Sequence, residues 1–205
     1  MRIWMRTRHT ALGALAGVTL ALTGCGGDDP PAGGEAPEAA DRPSRAAPSP
    51  IADGAVTLEI SRRVELLLGA AGVDVVPTGA ATESGEGIEI PIAEGELGVD
   101  PVAGRLDLDG GIRFGAAGQA IEATALDLDL RSGEVTSEIE GIRVPLLSAE
   151  FEPAQLSADA GSVVLPGSRA TLSDEAVTPL NDALGVDLLS GGLSIGELGV
   201  KARWP

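Results

Sequence analysis

Apolar and polar positions alternate along much of the chain beyond residue 55. Val56-Thr57-Leu58-Glu59-Ile60 and Ile88-Glu89-Ile90-Pro91-Ile92 do so cleanly, as do Leu106-Asp107-Leu108-Asp109 and Leu126-Asp127-Leu128-Asp129-Leu130. A period of two puts the branched aliphatics on one face of a strand and the acids on the other, toward water. Further strands are predicted over 134–147, 149–157, 162–166 and 193–204. Glycine or proline punctuates them at Gly110-Gly111, Gly115, Gly141 and Pro166-Gly167. Short strands between turns predict a mainly β domain, either an antiparallel sandwich or a strongly curved sheet with one wet face.

Two stretches change period. After Ser61, a helix cap, Val64, Leu67, Leu68 and Ala71 fall on one helical face before Gly72 stops it. A second helix is predicted over Ser173–Leu184, with Val177, Leu180 and Leu184 in a stripe and Gly185 as the stop. Pro179 leaves two readings: one distorted helix, which is preferred, or a new start with Thr178 as cap. The surroundings of the two helices repeat. Thr57-Leu58, helix, Gly72-Val73-Asp74-Val75-Val76 parallels Thr171-Leu172, helix, Gly185-Val186-Asp187-Leu188-Leu189. Two such strand–helix–strand units suit the two ends of one sheet, although short apolar segments also resemble one another by chance.

The N-terminus follows a different logic. Arg2, Arg6 and Arg8 precede an apolar run from Ala11 to Leu22. Twelve helical residues span about 18 Å, too short for a hydrocarbon core of about 30 Å, so the segment reads as a secretory signal. It ends in Leu22-Thr23-Gly24-Cys25, which resembles the lipobox of bacterial lipoproteins, where cleavage before the cysteine precedes its diacylglyceryl modification. The alternative is an ordinary secretory signal with a chance cysteine. The first reading divides the chain into a signal peptide (1–24), a lipidated Cys25 with a disordered Pro/Gly/Ala tether (25–52), and a single β-rich domain (53–205). Six prolines fall between residues 26 and 52, and no apolar period there could bury a face. The tether would reach roughly 90 Å extended and about 30 Å as a coil. The expected location is extracytoplasmic, lipid-anchored to the cell membrane or outer envelope.

The order of elements carries a family resemblance. The first strand–helix unit ending Gly72-Val73-Asp74 is followed by Ile88-Glu-Ile-Pro-Ile-Ala-Glu-Gly-Glu-Leu97 and Gly104-Arg-Leu-Asp-Leu-Asp-Gly-Gly-Ile-Arg-Phe114. Ala125-Leu-Asp-Leu-Asp-Leu130 and the closing segment Leu172…Leu180-Asn181…Leu184-Gly185 complete the series. Over residues 55–203 this pattern resembles the Htaa-like domains of secreted actinobacterial proteins. The better-known members of that family are surface heme-uptake proteins, which the resemblance implies use Tyr and His at the iron. The chain has no Tyr, and its one His, His9, lies in the leader with both methionines. Heme therefore lacks its usual ligands, and no cofactor is expected.

Charge and composition narrow the function. The chain has 14 bases and 31 acids. Loss of a leader with three bases and no acids takes the net charge from −17 to −20, which argues against nucleic acid as a partner. Processing also removes the only histidine, and with it Ser-His-Asp, Cys-His and His-based zinc chemistry. Lys201, the sole lysine, sits in the terminal strand. Phe114, Phe151 and Trp204 are the only aromatics beyond the leader, too few for a sugar-stacking cleft around paired carboxylates. The chain is expected not to be an enzyme. Asp107, Asp109, Asp127 and Asp129 could offer hard oxygens to calcium from neighbouring strands, although their spacing lacks the later ligands of an EF-hand loop and equally suits the polar face of two strands. Two functions remain: a surface-displayed binding or adhesion module for an unknown ligand or protein, which is preferred, and a carrier of a lipid or other apolar molecule in a curved sheet. The carrier needs an open apolar cavity; the module needs a filled core.

Overall fold

A computed structural model describes residues 48–99, 102–152, 157–159 and 161–205. The signal peptide, Cys25 and most of the tether lie outside the described residues. Thirteen strands and two helices follow one another among them. They are β1 (Ser49–Pro50), β2 (Asp53–Ile60), α1 (Arg62–Ala70), β3 (Val73–Thr78), β4 (Thr82–Ser84), β5 (Gly87–Val99), β6 (Val102–Leu108) and β7 (Gly111–Ala116). Then come β8 (Gln119–Asp129), β9 (Glu134–Ile139), β10 (Ile142–Ala149), β11 (Ser157–Asp159), β12 (Ser162–Leu172), α2 (Asp174–Leu184) and β13 (Ser194–Arg203). No helix among the described residues is long and apolar enough to cross a membrane.

The sheet closes on itself: of the two expected architectures it is the strongly curved sheet, closed into a barrel, and not the sandwich. Strands run β5-β2-β13-β12-β10-β9-β8, and β6 joins the two ends. One edge of β6 pairs with β5, from Ile92↔Leu108 to Val99↔Val102. Its other edge pairs with β8 through Arg105↔Asp129, Leu106↔Leu128 and Asp107↔Asp127. Closure removes the long edges that a sandwich would leave exposed. An interior bounded by eight strands is just wide enough for side chains. Here Val56, Leu97, Leu106, Leu128, Val163, Leu165 and Val200 are fully buried. The alternating Leu and Ile positions are thus the barrel's inner face.

Several element boundaries differ from expectation. The stretch 134–147 is a hairpin, turned at Glu140 and Gly141, whose φ values of +52° and +79° suit a tight two-residue turn. No strand fills 149–157: β10 ends at Ala149, and Phe151 and Glu152 lie outside any strand. The short strand expected at 162–166 continues to Leu172 through a bulge at Pro166-Gly167.

Both helices begin as predicted. The hydroxyls of Ser61 and Ser173 accept from Val64 N and Ala176 N, at 3.4 and 3.1 Å. The second helix is continuous through Pro179 and ends at Gly185, φ +65°. The buried face of α1 is narrower than predicted, with Val64 and Leu68 inside but Leu67 and Leu66 at 40% and 65% exposed. The two units do not cap opposite ends. Strands β2 and β12 are both antiparallel to β13 and so parallel to each other, which sends α1 and α2 off the same end of the barrel. The likeness of the two units also stops after the second helix. Val73–Val76 belong to β3, whereas 186–189 form no strand; Asn181 pins that segment by bonding both N and O of Leu189, at 3.1 and 2.9 Å.

At this end the wall divides. Strands β6 and β7 run in succession along one edge of β8, broken at Asp109-Gly110 opposite a bulge in which Ala125 has φ +48°. Across the break the outer neighbour changes from β5 to β3. The start of β5 instead pairs with β2 and β4. A gap therefore opens between β3 and the β4–β5 hairpin, beside α1.

Candidate functional site

The barrel brings three of the four predicted acids together. Asp107 and Asp127 are opposite one another on β6 and β8, and Asp129 is opposite Arg105. Asp109 stands at the break, its N–H donating to Pro91 O at 2.8 Å. Asp127 alternates outward but is only 3% exposed. Arg105 Nε donates to one of its carboxylate oxygens, and Arg143 Nη2 lies 3.8 Å from the other. The same Arg143 nitrogen donates to Thr136 Oγ1 at 2.9 Å, on the strand beyond. The cation that meets this carboxylate is thus a guanidinium. Among the described residues no three His, Cys, Asp or Glu side chains form a group that could hold a metal ion.

The three acids differ electrostatically because their surroundings differ. Burial pushes the Asp127 carboxyl upward and the facing Asp107 adds to this, outweighing the opposing pull of Arg105. Asp129 is held below the usual carboxylate range, first by the backbone N–H of Ser132 and also by that of Arg131. Those bonds measure 3.0 and 2.8 Å and close the β8–β9 turn. A lowered pKa means that ionised Asp129 contributes stability above its unfolded value near 3.8, lost as pH falls through the lower folded value. Asp129→Ala is expected to cost about 1 kcal/mol near neutral pH, as the loss of a capping carboxylate does. The cost should shrink below about pH 3.8, which urea melts across pH would register.

A second, concave feature was not among the predicted sites. A cleft of about 400 Å³ opens at the divided wall, lined by Glu59, Ile60, Arg62, Glu65, Val75 and residues 83–88. Each wall has a local cause. Strand β2 ends at Ile60, Ser61 starts α1, and the turn between β4 and β5 is held by Ser84, whose hydroxyl donates to Gly87 O and accepts from Glu86 N, at 3.2 and 3.3 Å. Glu86 pairs with Lys201 at 3.2 Å. Beneath the cleft is an apolar cavity of about 30 Å³ among Leu58, Val64, Leu68, Leu146, Leu172 and Leu180. Ile60 and Val75 line both spaces. The sequence signal for the cleft is the run Glu83-Ser-Gly-Glu-Gly87, a turn rich in acids next to a strand. It reads only as a connection until the topology sets it beside α1.

The same architecture occurs in a solved structure. The C-terminal domain of HtaA from Corynebacterium glutamicum superposes with a TM-score of 0.58 and 12% identity, covering 76% of this chain and 99% of that one. The fold is HtaA-like. The N-terminal domain of the same protein gives a TM-score of 0.46 at 11% identity, over 76% of this chain and 98% of that one. The sequence matches no protein-family model and no curated protein. On this HtaA-like fold, residues 48–205 carry no His, Tyr, Met or Cys.

Proposed function

We propose that this chain is an exported, lipid-anchored and non-enzymatic binding module, displayed at the cell surface by a tether that begins at Cys25. The filled barrel carries the reading. An apolar cavity of about 30 Å³ is the size of one water-sized site, whereas pockets for small ligands occupy about 300–1,000 Å³. That favours a module that binds with its outer faces and loops over a carrier that encloses an apolar molecule. An acyl anchor suits a chain of this charge, since each buried methylene contributes about 0.8 kcal/mol and two chains hold stably.

Fractionation of the producing cell tests the anchor. The chain is expected in the membrane fraction, with a mass matching residues 25–205 plus a diacylglyceryl group. Cys25→Ser should abolish the lipid and release essentially all of the protein from that fraction. An unlipidated, freely secreted chain would refute the anchor. Native mass spectrometry of the same material tests the module, because a stoichiometric noncovalent lipid would make the chain a carrier.

A further inference from the structure

We infer that the cleft beside α1 receives an extended, basic peptide segment, which adds as a strand to the free edge of β3. The inference deepens the binding-module reading by naming a site and a ligand class.

Among the described residues, strand β3 is the last in its branch of the sheet and pairs only with β7. Among the described residues, the backbone groups of Val73–Pro77 make no backbone hydrogen bond outside that ladder. Unpaired N–H and C=O groups along a strand edge form a template for another chain. Pro77, which has no N–H, restricts that template to the Val73–Val76 side. The free edge lies on the side away from β7, where the wall divides and Val75 reaches the cleft.

The cleft's two surfaces select the side chains of an added strand. Its floor is apolar, with Ile60, Val75 and Ile88. Its rim is acidic: among the described residues the carboxylates of Glu59, Glu65 and Glu83 have no hydrogen bond or ion pair, and Arg62 is the one base among the lining residues. An extended segment alternates its side chains, so one set meets the floor while the other meets the rim. Apolar residues alternating with Lys or Arg satisfy both. The surrounding field favours the same ligand, since residues 48–205 carry nine bases against 26 acids.

The test uses the full chain in detergent and the peptide acetyl-Lys-Val-Lys-Val-Lys-Val-amide, followed by isothermal titration and by backbone amide shifts. Saturable binding is expected, with shifts at Val73–Val76, and N-methylation of alternate peptide nitrogens should abolish it. The exposed pair Glu65→Gln and Glu83→Gln should leave the melting temperature unchanged and weaken binding about fivefold to tenfold, as loss of two partly solvated ion pairs does. No binding at millimolar peptide would overturn the inference. So would an N-methylated peptide that binds as well as its parent, since attraction would then be to charge alone. Neither result depends on the state of Cys25, so the anchor and this site fail separately.

Discussion

Leu180→Ala should lower the stability of the domain by about 3–5 kcal/mol, at the upper end of the range for buried leucines. Leu180 is fully buried where α2 closes the barrel, and it lines the existing apolar cavity of about 30 Å³. Truncation costs most where the surroundings cannot collapse into the space. Here the new void joins an old one, and the strands around it are fixed by ladder hydrogen bonds. Denaturant melts of the variant would measure the loss. Leu66→Ala is the control: that side chain is 65% exposed on α1, and its replacement should change stability by less than about 0.5 kcal/mol. The enlarged cavity is also a test of function. Benzene should raise the melting temperature of Leu180→Ala and leave the parent unchanged, because only the variant has room for it. A parent that is stabilised by benzene as strongly as the variant would mean that the native barrel already opens to apolar guests.

The elements were legible because their causes are local. Period-two alternation marks Val56–Ile60 as one inner and one outer face whatever the sheet becomes, and Ser61 and Ser173 cap helices through groups three residues away. Closure was not legible. It depends on β6 meeting β5 with one edge and β8 with the other, and side-chain alternation is the same in a sandwich and a barrel. Leu67 illustrates the same limit at smaller scale. Helical spacing allows it on the buried face with Val64 and Leu68, but α1 rests on the barrel end along a stripe too narrow to include it.

The acids were legible as a row and not as a site. Sequence places Asp107 and Asp127 on outward positions, and the observed register sets them face to face. It could not show that Arg105 and Arg143 would converge on Asp127, since Arg143 arrives from β10, two strands beyond β8. The cleft was still less accessible. Its walls come from Glu59, Ile60, Arg62, Glu65, Val75 and residues 83–88, and it exists only because the partner of the β6–β7 edge changes from β5 to β3. A site made by the divergence of two strands has no motif of its own.

Gly104→Ala tests the closure itself and should be as damaging as the core truncation, about 3 kcal/mol or more. Gly104 sits on β6 opposite Leu97, with φ +133°, in a region that residues with a side chain rarely adopt. A Cβ there would lie 2.0 Å from Glu96 O and 2.8 Å from its carbonyl carbon, both backbone atoms of β5. These atoms cannot rotate away as a side chain would, so β5 and β6 must separate for the methyl group to fit. The Gly104 carbonyl also accepts from Leu130 N at 2.9 Å, which ties the end of β8 to the same residue. Strain in the left-handed region costs about 1–2 kcal/mol and a backbone clash adds about 1–3. Gly141→Ala separates the two contributions, because Gly141 has φ +79° but nothing within 4 Å of an added Cβ. It should lose only about 1–2 kcal/mol. Hydrogen exchange should show the difference in place as well as size: Gly104→Ala should expose amides along β5 and β6 at the seam, while Gly141→Ala should affect only the β9–β10 turn. Equal losses in the two variants would mean that the β5–β6 seam yields freely, and that the barrel does not depend on its closing pair.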